Sequence, residues 1–142
     1  MKKMIFLVGL SHKYGTNGEM LPAFCPSSNS GKIITMIEER LQGQKILKYN
    51  LYPGVPLDDT KKLRYPNKQE KAEGWKILLK IIKEKQPTHI ILFGKEVSNF
   101  IKKQEFTNKG KIIETKHPSY IRSYKRKEIK DYLDNLLKEI SC

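Results

Sequence analysis

Cysteine is scarce in this sequence. Cys25 and Cys142 are the only two, they stand far apart, and neither sits in a metal-ligand spacing, so neither a disulfide framework nor a zinc or iron–sulfur site is indicated. Long apolar runs are missing too. Hydrophobic residues make up 38% of the chain, but they fall in short patterned runs, none reaching the roughly 18 residues of a membrane span. The opening MKKMIFLVGLSHKYG has two lysines and an apolar run from Met4 to Leu10, but no small-residue cleavage site follows. A buried strand is therefore expected there rather than a signal peptide, and the cytoplasm is the expected compartment. No internal repeat, low-complexity tract or linker breaks the 142 residues, which set the expectation of one domain over 1–142.

Acidic residues are the third shortage. Fifteen Asp and Glu face 28 Lys and Arg, a net charge of +13, which attracts a polyanion and makes its binding salt-dependent. Lysine-rich composition alone does not name the polyanion. The distribution says more: Lys116, Arg122, Lys125, Arg126, Lys127 and Lys130 lie close together, opposed only by Glu128.

Four short β-prone runs stand out: MIFLVGL (4–10), KILKYNLY (45–52), HIILFG (89–94) and KIIETK (111–116). The first and third are continuously apolar in their middles, as strands covered on both faces of a parallel sheet should be. Between them lie helical faces: Ile33, Ile34, Ile37 and Leu41; Trp75, Leu78, Leu79 and Ile82; and Val97, Phe100 and Ile101. The last helix is the clearest, with Ile129, Tyr132, Leu133, Leu136, Leu137 and Ile140 recurring at helical steps. Ser30 before the first helix, Gly43 after it, and Asn67 with Glu70 supply boundary signals. Strands alternating with helices predict an α/β domain of three layers, α/β/α, around a mostly parallel sheet. Ligands of such sheets collect beyond the carboxyl ends of the strands, which selects the loops 10–29, 50–66, 94–96 and 117–124.

The first, second and fourth of these carry candidates. Phe24 follows Pro22 in the first, placed either to stack on a planar base or to close the open edge of the sheet. The segment SNSGK imitates a phosphate loop, but Pro26 and Ile33 occupy positions that need Gly and Ser or Thr, which excludes a nucleoside triphosphatase. Its helix start still offers free amides to a phosphate at Ser30. Asn50 ends the second strand, where its planar donor and acceptor match the edge of a pyrimidine, or where it simply makes a turn. His117, biased to an extended backbone by Pro118, either caps its strand or donates to charge developing on a leaving group. Ser119 suits a phosphate, and Tyr120 with Ile121 suits a wedge.

Taken in order, these segments resemble the uracil-DNA glycosylase superfamily, particularly its compact bacterial and archaeal branch. LVGL looks like the strand and glycine of the first motif, and PAFCPSSNSGKII is similar to the stacking aromatic before a helix start. KYNLYP resembles the strand ending in a base-reading asparagine, and RYPNKQE the Arg-x-Pro segment before a Glu-bearing helix. PTHIILFGKEVSNFI resembles the later strand, glycine and helix, and KHPSYIRS the final His-Pro-Ser motif. The resemblance implies a central four-stranded parallel sheet and a DNA glycosylase that flips uracil or another modified base out of the helix. It implies stacking of that base on Phe24, reading by Asn50, and stabilisation of the leaving anion by His117. Gly9, Leu10 and Ser11 would lie beside the base and the attacked sugar. Ser30, Ser119, Tyr120, Arg122, Lys125 and Arg126 would hold phosphates of the DNA, bound by a monomer with no cofactor.

The chain departs from the family pattern in two places. GLSHKYG has no carboxylate before Glu19, which leaves Ser11 and His12 as the candidates for directing water. The branch's iron–sulfur cysteines are absent, so packing around Trp75 is expected in the cluster's place. Two other readings stay open: a noncatalytic relative that binds DNA or a modified base, and an enzyme acting on nucleosides or nucleotides in the same pocket.

Overall fold

The computed structural model describes residues 2–15 and 17–141; Cys142 lies outside them. Four strands, β1 (Met4–Ser11), β2 (Lys45–Tyr52), β3 (His89–Phe93) and β4 (Lys111–Thr115), form one all-parallel sheet in the order β2-β1-β3-β4. The helices are α1 (Asn29–Arg40), α2 (Lys68–Lys85), α3 (Lys95–Lys102), α4 (Pro118–Tyr124) and α5 (Ile129–Ser141), with a 3-10 turn at Arg126–Glu128.

The two-residue period of the strands sorts their side chains into two cores. Ile5, Leu7, Ile91, Phe93 and Ile113 point to one face and meet Ile33, Ile34 and Ile37 of α1 and Leu133, Leu136 and Ile140 of α5. Phe6, Val8, Ile90 and Leu92 point to the other and meet Trp75, Leu78 and Ile82 of α2 and Val97 and Ile101 of α3. Each fully buried aliphatic residue contributes about 1.5–3 kcal/mol, so β1 and β3, covered on both faces, anchor the domain. Trp75 is buried and packs its ring edge-on against Phe106, centroids 5.0 Å apart. Among the described residues no helix is long and apolar enough to cross a membrane.

Four local expectations change. β2 runs on through Tyr52, so Asn50 lies inside the strand, not at its end. Ser28, not Ser30, caps α1: its side chain accepts from the Gly31 amide, and Ser30 falls inside the first turn. The span 117–124 is not a loop, because Pro118 takes the first position of α4, where its missing N–H leaves no bond unmade. Ile121 consequently faces inward, 3% exposed, so only Tyr120 of the expected wedge reaches solvent. The loop at 94–96 likewise shrinks to Gly94, since α3 starts at Lys95.

Candidate active site

The carboxyl ends of all four strands open into one cleft of about 1010 Å³. Gly9, Leu10, Ser11, His12, Phe24, Asn50, His117, Ser30, Ser119 and Tyr120 all line it. Three of them meet at one point. Parallel register sets Gly9 beside Asn50. A β-carbon added to Gly9 would come within 2.7 Å of Asn50 Oδ1 and 2.9 Å of Phe24 Cζ, so the bare backbone of the first motif is what lets amide and ring converge.

Phe24 closes the end of the core and also borders the cleft. Its ring is 7% exposed and packs edge-on against Phe93, with centroids 5.3 Å apart, closing the end of the core while still lining the cleft. Its backbone has φ 54, a left-handed conformation that is strained for a bulky residue and held only by its surroundings.

His117 caps a helix, not its strand, and lines the cleft. It is the N-cap of α4, with Nδ1 accepting from the Ser119 amide (3.1 Å) and facing the Ser119 hydroxyl (2.7 Å). A backbone N–H can only donate, so Nδ1 holds a lone pair and the neutral ring carries its proton on Nε2. Burial, reinforced by the positive charge of Lys13, lowers its pKa below the ordinary 6.5 and favours that neutral form. Gly94, at φ 92, adopts a left-handed conformation that favours glycine and sits against the ring, where a β-carbon would meet His117 Cβ at an ordinary contact distance of 3.4 Å.

His12 is held in the opposite sense. Its amide donates to the Gly54 carbonyl (3.1 Å), and its Nδ1 lies 2.8 Å from the Leu21 carbonyl. A carbonyl can only accept, so Nδ1 carries the proton and the neutral ring has its free lone pair on Nε2. One cleft thus holds an imidazole able to donate through Nε2 and another able to accept there.

At one end of the cleft, the first turn of α1 brings Asn29 and Ser30 to the lining, and Asn29 Nδ2 donates to Ser123 Oγ (3.3 Å), tying α1 to α4. Arg122, Lys125 and Arg126 sit beyond the cleft lining: Arg126 Nε donates to the Arg122 carbonyl, and Lys125 lies 3.9 Å from Glu128. Arg122 Nε is buried with no hydrogen-bond partner among the described residues.

Two lining residues escape a reading by motif. Lys13 follows His12 directly, and its proximity to His117 comes only from folding. Glu96, in the first turn of α3, brings a carboxylate to the cleft, paired with Lys71 of α2 at 2.9 Å. Its position just past the end of β3 was the available signal. Among the described residues no group of three or more His, Cys, Asp or Glu side chains gathers to hold a metal ion.

Comparison with known proteins agrees with this layout. The family model for the Uracil DNA glycosylase superfamily matches residues 3–141. Among solved structures, the fold is similar to that of wild-type SMUG2 from Pedobacter heparinus, with a TM-score of 0.70 at 15% identity. The match covers 99% of this chain and 75% of that one, and at such identity the likeness is one of fold. No curated protein matches the chain closely enough to add to this.

Proposed function

Since the chain belongs to the Uracil DNA glycosylase superfamily, we propose that it is a DNA glycosylase that hydrolytically removes uracil or another modified base. The observation that carries this reading is a pair of histidines on one cleft whose Nδ1 atoms face opposite partners, the Ser119 amide at His117 and the Leu21 carbonyl at His12. The flipped base stacks on Phe24, and the Asn50 amide reads its edge, with Gly9, Leu10 and Ser11 beside the base and sugar. The bond from C1′ to the base nitrogen breaks with its electron pair leaving on the base. His117 donates from Nε2 to the oxygen where that charge gathers, and the Lys13 cation favours the same anion. Water attacks C1′ and gives its proton to the lone pair of His12 Nε2, leaving a free base and an abasic sugar with a new hydroxyl. Ser30 and Ser119 hold the flanking backbone, Tyr120 offers its exposed ring beside them, and Arg122, Lys125 and Arg126 extend the positive surface beyond.

The test is incubation with oligonucleotides carrying uracil, hypoxanthine, xanthine or a bulky modified pyrimidine, with released base read by mass spectrometry. Base is expected from at least one, and release collapses in Asn50→Ala and His117→Ala. Tight, salt-dependent binding with no base released would instead support a noncatalytic DNA-binding relative. Turnover of free nucleosides, with little loss when Arg122 through Lys127 are neutralised, would support a nucleoside-acting enzyme.

A further inference from the structure

The proposed chemistry leaves one well-built feature of the cleft unused, a finger formed by residues 56–65. Leu57 and Leu63 pair as an antiparallel bridge, and the Asp58 amide donates to the Lys62 carbonyl (2.8 Å). The Asp58 carboxylate closes the tip by accepting from the Thr60 amide, the Thr60 hydroxyl and the Lys62 amide, at 2.7–3.0 Å. At the base, Arg64 turns its guanidinium inward. It donates to the Leu57 and Tyr65 carbonyls and forks onto the Glu70 carboxylate of α2 at 2.6 and 3.2 Å. Glu70 completes a capping box with Asn67, and Pro56 and Pro66 are buried on either side.

Extended-chain alternation then decides which side chains the finger turns outward. Pro66 is buried and the Arg64 guanidinium is tied to Leu57, Tyr65 and Glu70, while the Leu63 and Tyr65 side chains face out, 52% and 70% exposed; Leu63, Arg64 and Tyr65 all line the cleft. Lys61 and Lys62 are exposed at the tip. On the α4 side, Tyr120 also lines the cleft, and its ring lies 5.5 Å from that of Tyr124. An exposed aromatic beside lysines fits a nucleotide, whose base stacks while its phosphate meets the cations. The staples fix the finger before binding, so little ordering is left to oppose the contact.

We infer that the finger is a second nucleotide-contacting element, resting on the glycosylase reading of the same cleft. Tyr65 stacks on a base next to the flipped nucleotide, Leu63 packs against its sugar, and Lys61 and Lys62 meet the flanking phosphates. Tyr120, backed by Tyr124, takes the base on the other side. Bases held on two protein rims have left the duplex stack, so the substrate class is an unpaired or locally melted strand.

The test uses a fluorescein-labelled oligonucleotide with one central uracil, single-stranded and annealed to its complement. Binding is followed by anisotropy and base release in parallel. Tyr65→Ala is expected to weaken single-strand binding about tenfold, with a smaller loss on duplex and recovery in Tyr65→Phe. The Tyr65 side chain takes no part in the staples, and an unchanged Tm confirms an intact fold. Unchanged binding by Tyr65→Ala overturns the inference, as does an effect confined to sedimentation, which would make the finger a contact between copies of the chain. Base release by the wild type with Tyr65→Ala unaffected sinks the finger and spares the glycosylase. Binding that depends on Tyr65, with no base released from this or the other modified oligonucleotides above, does the reverse, and no binding by the wild type overturns both.

Discussion

His117 and His12 share a cleft but are supported differently. His117 is clamped where β4 turns into α4: its ring caps a helix, sits against Gly94 and is half-buried. His12 sits where β1 runs out into a long connection, and its hold on the Leu21 and Gly54 carbonyls depends on two loops keeping their places. The difference shows how one residue type takes two chemical roles. A donor on Nδ1 forces the proton to Nε2, whereas an acceptor there draws it away. It also implies that the proposed leaving-group donor is set by rigid structure and the proposed base by loop packing.

Breaking the clamped side should have the largest effect. His117→Ala removes the proposed donor to the leaving anion, and base release should fall by about 10²- to 10³-fold in single-turnover assays. His12→Ala should cost about 10²-fold, the low end for a general base, because a cation-like sugar needs little activation of its water. Equal losses would mean that the two supports do not differ in the way their geometry implies.

Acidification sharpens the same comparison through stability. The folded pKa of His117 is lowered below 6.5, so the unfolded chain takes up this proton first as pH falls. Its contribution is fully present above pH 6.5 and is lost as pH falls through the folded value. Across that window, the Tm of the wild type should drop more steeply than that of His117→Gln. The smallest effect is expected on the finger side of the cleft. Glu70, held down to about 2 mainly by Arg64 and the Asn67 amide, keeps its contribution above pH 4.5 and loses it as pH falls through about 2. At neutral pH, Glu70→Gln should cost about 1 kcal/mol in urea unfolding, since the pair is near the surface and the cap survives in part.

Much of this was legible beforehand where a pattern was long enough to repeat. The four strands fall on their expected runs, and the apolar faces of α1, α2, α3 and α5 point into the two cores. Asn67 with Glu70 forms the expected capping box. Short elements hid. The seven residues of α4 are too few to show a period, and Pro118 signals an extended residue before it as readily as a helix after it. Ser28 and Ser30 are equally good caps by type, and only the turn from Cys25 selects Ser28, whose hydroxyl donates to the Cys25 carbonyl at 2.7 Å. The finger was hidden for a related reason: VPLDDTKKLRYP reads as a loop, and its rigidity comes from Arg64 bonding to Leu57 and Glu70.

What the sequence alone determined is the layered sheet, because alternation along a strand and the helical period are local properties of the chain. It also marked Asn50 and His117 near the carboxyl ends of their strands, Asn50 inside β2 and His117 just past β4, and Phe24 in the connection that follows β1. Only the tertiary structure decided what those positions can do. The proton on His12 is fixed by a carbonyl nine residues away, and the neutral state of His117 by burial and by Lys13 on another strand's loop. Protonation depends on neighbours in space, and no spacing along the chain records which neighbours folding will bring.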